Sequence, residues 1–427
     1  LMTSGADFDV VVIGAGAAGI GAGRALAAAG CRFVILEARD RVGGRAWTLA
    51  IGRGDSGHGF AVDLGCEWLH AAPRNPLVPL ARALGIAVDE YDKVWADEWN
   101  LAKLGAADYA EFRGAAEGLF EQAGALAAAG GPDAALGDLL PAGHRWRPAI
   151  EAICGWITGG RLDQVSAVDF GRLDDPQINW RLPGGYGALI RALADGLPVR
   201  VSAPVARIDW RGRDVVVEGP AGSLTARRVI VTLPTNVLAS GAVAFAPALP
   251  SEKREAAADL PLGADFKVFL KVEGEPFGPL HDVQLPSRYD RADCGFLHVH
   301  PLGRPLVAGY FGGDIARELE AAGLAAAADF VERELAFNFG ESVRGRFTPI
   351  AASGWMADPL AGGAYSHARP GATRARATLA APLDGRLFFA GEATSPHDFA
   401  TAHGAYQSGA AAAEAALAAL APRAALG

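Results

Sequence analysis

Asp9-Val10-Val11-Val12-Ile13-Gly14-Ala15-Gly16-Ala17-Ala18-Gly19 is the stretch on which the reading of this chain turns. It opens with a short, almost unbroken apolar run, the pattern of a parallel strand buried on both faces. The run enters a complete G-x-G-x-x-G. Its first glycine permits the tight turn, the second lets backbone approach a pyrophosphate, and the third lets the next helix lie close on the sheet. That helix is predicted from Ala17 to about Ala29 and stops at Gly30, a natural C-cap. A second apolar strand, Cys31 to Leu36, delivers Glu37 about twenty residues beyond the glycines, where a carboxylate can accept from ribose hydroxyls. Glycine turns are common in a chain with 55 glycines, so the motif alone says little. The order strand, glycines, helix, strand, acid points to a bound dinucleotide on Gly14, Ala15, Gly16 and Gly19.

The chain continues from Glu37 as Ala38-Arg39-Asp40-Arg41-Val42-Gly43-Gly44-Arg45. Two glycines between arginines suit backbone passing beside a pyrophosphate, with Arg45 as its charge partner; the plain alternative is a solvated basic turn. Nicotinamide dehydrogenases have no evident use for this extension. It resembles the R-x-G-G-R that follows the acid in FAD-dependent amine oxidases.

At 427 residues the chain exceeds one ordinary core, so two domains are expected. A hydrophobic share of 51% with 20% charged residues is that of a packed soluble protein. No run of eighteen or more apolar residues lacks charge, so no membrane span is expected. The first strand begins within nine residues, leaving no room for a signal peptide, although Leu1 ahead of Met2 leaves a removed leader open. Cys31, Cys66, Cys154 and Cys294 lie far apart without metal-ligand spacing and read as small hydrophobes in a reducing, cytoplasmic setting. No metal is expected. The net charge of −9 argues against nucleic acid and mildly favours a cationic substrate.

Further along, Asp63-Leu64-Gly65-Cys66-Glu67-Trp68-Leu69-His70 reads by itself as a strand entering a glycine turn, with a Trp and a packed His beside it. Val88 to Leu140 reads as helices, with Trp95, Trp99, Leu101, Leu104, Tyr109, Phe112, Leu119, Phe120 and Leu126 as a core stripe. Another helix is predicted around Pro148 to Trp156, and one at Ala188 to Asp195. A meander follows: Val199-Val201, Val205-Ile208, Asp214-Val217 and Leu224-Ala226, before a separate buried strand at Arg228-Leu233. Phe266 onward alternates as a strand. Lys267 within it is unusual, and snorkelling to solvent is its plain explanation. His298, His300 and Tyr310 fit a two-strand meander as well as a channel lining and are assigned no role.

The resemblance implies more. The family has an acidic residue, Leu and Gly at the flavin's isoalloxazine end, here Asp63, Leu64 and Gly65. Its polyamine oxidase branch continues with W-[IL]-H and N-P, matched by Trp68-Leu69-His70 and Asn75-Pro76. No arginine lies between Leu64 and Pro73, where amino-acid oxidases hold a substrate carboxylate. P-G-G-[YH]-G is met at Pro183 to Gly187, and Val205 sits where relatives contact adenine through backbone. Lys267 matches the lysine that holds a water facing flavin N5. Trp355-Met356-Ala357-Asp358-Pro359 and Gly391-Glu392 match the later flavin motifs, and Ala402 opens a last helix whose N-terminus can stabilise the flavin's electron-rich edge. Ala364 stands where monoamine oxidases carry a flavin-linked cysteine, so FAD is expected to be noncovalent.

The fold expected is mixed α/β: a Rossmann-like FAD-binding domain (1–87, 183–260, 353–427) interwoven with a substrate domain of sheet and helices (88–182, 261–352). The expected reaction is oxidation of a small-molecule amine, a polyamine or related aliphatic amine, by FAD with dioxygen as acceptor. Tyr365 and Thr401 would flank the amine, Lys267 would hold the water, and His70 would contact a substrate nitrogen. A monoamine or amino-acid oxidase with an aromatic substrate remains the alternative, followed by a flavin-binding scaffold with little turnover. A desaturase or protoporphyrinogen oxidase would lack Lys267. The oligomeric state is not readable.

Overall fold

The computed structural model describes residues 5–52, 59–91 and 104–420. Strand Phe8–Ile13 lies parallel between Phe33–Leu36 and Gly222–Val231, and its valines are fully buried because helices cover the face of Val10 and Val12 while Ile208, Val215 and Val217 pack on that of Val11. Val199–Arg200 extends the sheet at one edge, and Leu387–Phe389 joins in parallel beside the end of Gly222–Val231. Val215–Gly219 and Arg207–Asp209 continue it as an antiparallel ribbon, with Ala244–Ala246 beyond, making an eight-stranded sheet. The first helix, Ala17–Ala28, packs along the last, Ala402–Leu420. Small residues permit this closeness: a Cβ on Gly409 would stand 1.8 Å from the Ala18 carbonyl oxygen.

A second, five-stranded sheet has the order Val283–Pro286, Gly295–Val299, Leu306–Gly312, Asp265–Val272, Phe347–Ala352, with antiparallel neighbours. Alternation divides its faces. Phe266, Val268 and Leu270 join Leu297, Val307 and Phe311 in a core under helices Asp314–Ala322 and Leu324–Phe339. Phe269, Phe296 and Tyr310 point the other way and pack with Val62, Leu64 and Trp355 of the first unit. Lys267 is opposite Tyr310 in register, on this second face. Helix Arg147–Thr158 closes over the same sheet at Gly312, where a Cβ would meet the Gly155 carbonyl at 2.1 Å.

Several expectations need correction. Leu224-Ala226 and Arg228-Val231 are parts of one ten-residue strand that stops two residues short of Leu233, its first half pairing with Val215–Gly219 and its second with Leu387–Phe389. Val205 precedes its strand rather than starting it. Val88 to Tyr91 is extended, with Asp89 bridging Arg181, and one long helix, Ala106–Ala129, carries buried Phe112 and Leu119. Trp95, Trp99 and Leu101 lie outside the described residues.

Arg181, unremarked in the sequence, is the pin between segments. Its side chain is 2% exposed and donates to Asp89 and Asp282 at 2.6 Å, while its strand partner is Trp68. Burial would raise the Asp282 carboxyl, but Arg181 and His298 outweigh it and hold it well below the usual carboxylate range. Removing Arg181 strands two partly buried carboxylates. Arg181→Ala is therefore expected to lose roughly 3–5 kcal/mol of stability in urea unfolding. A depressed folded pKa gives stabilisation that is complete above about pH 4 and lost as pH falls through the folded value. The gap between wild type and variant should accordingly narrow in acid.

Candidate flavin and amine site

The glycine turn is shaped by its own backbone. Gly14 has φ +102° and donates to the Leu36 carbonyl, and a Cβ on Gly19 would lie 1.8 Å from the Gly14 carbonyl oxygen. A Cβ on Gly16, by contrast, would meet nothing nearer than 3.9 Å. Gly16 precedes the first helix without a side-chain cap, so the first-turn amides face an opening suited to an anion. The Gly43-Gly44 turn closes onto this loop through Gly43 N to Ala15 O at 2.8 Å. Glu37 is buried, and its carboxylate accepts from Ala15 N at 2.7 Å and Arg39 N at 2.8 Å, fixing the strand end to the loop. Ala38 lies between. The Arg39 guanidinium turns away to Asp358 at 2.7 Å. Val205 follows a segment hydrogen-bonded to the backbone of Glu37 and Arg39 through Ala203 and Ser202. The donor set and the opening fit a dinucleotide.

Glu392 lies at the junction of three segments. Arg45 Nη1 is 3.1 Å from its Oε1 and also donates to the Ala364 carbonyl. Oε2 accepts from Ser366 Oγ at 2.6 Å, Ser366 N at 3.3 Å and Ala400 N at 3.0 Å. Burial would raise this carboxyl, but Arg45 and Ser366 hold it below its ordinary value. Gly391, at φ +144°, turns the strand end into this position. One carboxylate thus holds the neighbours of both Tyr365 and Thr401. Behind Ser366, Arg376 pairs with Asp169 through two contacts of 2.8 Å, a buried support the sequence reading missed.

Thr401 accepts from Gly404 N at 3.0 Å and donates to Asp398 O, capping the turn that leads into the last helix beside Ala402. The Tyr365 hydroxyl donates to the Trp156 carbonyl. Trp156 meets Phe296 edge-on at 5.0 Å, and Phe296 stacks on Tyr310 at 4.3 Å. The Trp156 indole N–H is buried without an acceptor among the described residues.

Lys267 is buried, and its ammonium donates to Gly65 O at 2.7 Å and Glu67 Oε2 at 2.9 Å, with Asp63 O at 3.4 Å. Burial alone would lower Lys267 and raise Glu67; their pairing outweighs it in both, so both are charged. Tyr310 donates its hydroxyl to the same Glu67 oxygen. The lysine therefore grips the turn bearing Leu64 and Gly65. Trp355 braces that turn from behind, donating to Leu64 O at 2.7 Å. Gly65 has no room for a side chain, since a Cβ would strike the Arg45 carbonyl at 1.7 Å.

His70 follows the short strand Trp68–Leu69, with its Nδ1 2.9 Å from Asn179 Oδ1 and 3.9 Å from Asp175. The Trp68 ring is occupied by His298, stacked at 6.3 Å, and by Arg181. Glu67 and Asp265, which the sequence reading did not single out, lie near Lys267, as does Tyr310, which it left without a role. The signal existed: Asp265 and Lys267 are two apart on a strand, hence on one face. Among the described residues no cluster fits a metal, and no helix is long and apolar enough to cross a membrane.

The flavin containing amine oxidoreductase family model matches residues 17–170 and 162–417. Polyamine oxidase 2 of Arabidopsis thaliana is 29% identical over 95% of this chain and 87% of its own length. Polyamine oxidase 4 of Oryza sativa subsp. japonica is 30% identical over 95% and 88%. A solved structure of putrescine oxidase bound to putrescine superposes with a TM-score of 0.76 at 19% identity, covering 96% of this chain and 99% of that one. At that identity the likeness concerns the fold. The match along nearly the whole sequence has the further consequence that this chain belongs to the flavin-containing amine oxidoreductases.

Proposed function

We propose that the chain is an oxidase of polyamines or related aliphatic amines that holds FAD noncovalently and works in the cytoplasm. The observation that carries this reading is the Glu392 junction, which ties the Arg45 turn to the segments bearing Tyr365 and Thr401. Bound FAD would supply a hydride acceptor for the amine's α-carbon, with hydrolysis of the imine to aldehyde and amine, and return of electrons to dioxygen as hydrogen peroxide. The cradle of Gly14, Ala15, Gly16, Gly19, Glu37, Ala38, Gly43, Gly44 and Arg45 would hold it, with Arg39, Val205, Leu64, Gly65, Trp68, Trp355, Gly391, Glu392 and Ala402 along its length. Ala364 carries no nucleophile for a covalent link, and the four cysteines stand as free thiols. The domain division follows the same reading, with segments 88–182 and 261–352 serving the substrate.

The protein's own work is to desolvate and orient the amine. Tyr365, Trp156, Phe296 and Tyr310 give an aromatic wall, Thr401 closes the opposite side, and His70 would contact a distal nitrogen. Lys267 would hold the water needed for reoxidation at its longest contact, the one to Asp63 O.

The reaction is tested by following flavin absorbance anaerobically, then peroxide on readmitting air, with spermine, spermidine, their N-acetyl forms, putrescine, tyramine and tryptophan. Rapid bleaching by a polyamine or diamine is expected. Bleaching by tyramine or tryptophan alone would replace the substrate class, and bleaching by none would overturn the oxidase reading. Lys267→Met should slow reoxidation by about tenfold or more, roughly 1.4 kcal/mol of barrier, while changing flavin reduction far less. Because that substitution strands Glu67, the Lys267→Met/Glu67→Gln double variant serves as control. Equal loss in both half-reactions would remove the role given to Lys267.

A further inference from the structure

We propose that Asp265 is the substrate-binding anion of this site, a carboxylate that takes the ammonium group of an alkylamine and rejects substrates bearing a carboxylate beside the amine. The inference rests on the oxidase reading and adds a recognition element to it.

Asp265 begins the strand that carries Lys267, and the two share a face. Its strand partner is Gly312, which lacks a side chain, so nothing from that neighbour covers the carboxylate. It lies within reach of the Tyr365 hydroxyl, the aromatic group placed against the reacting amine. That hydroxyl shares its one proton between the Trp156 carbonyl and the Asp265 carboxylate, and the bond to Asp265 favours the ionised carboxylate and raises the tyrosine. A neutral hydroxyl supplies a donor but no countercharge.

The cations of the region are already committed. Lys267 is held by Glu67 at 2.9 Å, and Arg45 by Glu392. Arg304 donates to the carbonyls of Ala61 and Pro183. Among the described residues no lysine, arginine or histidine nitrogen lies within 4.0 Å of the Asp265 carboxylate. A half-buried carboxylate with no cation in contact is costly when ionised, even with the Tyr365 hydroxyl beside it. Desolvation pushes it up to about 6 against the more distant attraction of Lys267 and the Tyr365 bond, so a cation in direct contact would favour the ionised form further. An alkylammonium supplies that cation and several donors. A substrate α-carboxylate would instead meet a like charge. The chain has no arginine between Leu64 and Pro73 to offset that repulsion.

The probe is tert-butylamine, an alkylammonium without an α-hydrogen that cannot be oxidised, added to the FAD-loaded protein and followed by absorbance and tryptophan fluorescence. Asp265→Asn is expected to weaken its binding by about 10- to 100-fold, with Asp265→Glu recovering part of the loss. FAD content and thermal stability of Asp265→Asn should stay near wild type, and its KM for the preferred amine should rise more than its kcat falls. Binding within about twofold of wild type would overturn the proposal. Should Asp265→Asn fail to fold, the wild type decides: preference for tert-butylamine over neutral tert-butanol by about tenfold or more supports the anion, and equal affinity refutes it. Wild-type protein that binds tert-butylamine through Asp265 yet oxidises no amine would remove the oxidase reading and leave this binding site standing.

Discussion

The structure depends on a buried carboxylate that is never left unpaired. Glu392 sits where the last short strand of the large sheet ends, and it receives Arg45 from the side of the glycine turn and Ser366 and Ala400 from the segments bearing Tyr365 and Thr401. Bringing an anion out of water is expensive, and only a full set of charge-assisted hydrogen bonds offsets the cost. That requirement makes Glu392 a positional constraint. The three segments keep their bonds to it only while the Arg45 turn, the Tyr365 loop and the start of the last helix hold their relative places. Two of those segments carry Tyr365 and Thr401, the side chains we propose to flank the amine.

On the other side of the site the same logic is applied by Lys267. Its ammonium gathers the carbonyls of Asp63 and Gly65 and the Glu67 carboxylate, so the second sheet holds the Leu64-Gly65 turn of the first unit by a charge inside an apolar contact. Arg181 repeats the device farther out with Asp89 and Asp282. Each pair joins segments distant in sequence, which is how a domain interwoven from several stretches keeps one geometry. Asp265 departs from the rule: among the described residues no cation touches its carboxylate, and Lys267 attracts it only from farther off.

What was legible in the sequence followed from local constraints. The first strand, its glycines and Glu37 carry their conformations in their own composition, and the structure has the strand, turn and helix where the spacing puts them. Lys267 stood out because a lysine in an apolar strand demands a reason. Arg181, Arg376 and Glu67 did not, since a single arginine or glutamate gives no sign in its own neighbours that its partner is a hundred or more residues away. The long strand Gly222–Val231 was divided in reading because its two halves face different neighbours, a property of the sheet and not of the segment. Asp265 was within reach of the same two-residue alternation that singled out Lys267.

The most direct measurement is the FAD dissociation constant and the single-turnover reduction rate of Glu392→Gln against wild type. The substitution keeps size and removes the charge that Arg45 and Ser366 answer. Weaker FAD binding together with slower reduction, by about tenfold or more each, is the result expected if one carboxylate holds both halves of the site. Unchanged FAD affinity and unchanged reduction would contradict that account.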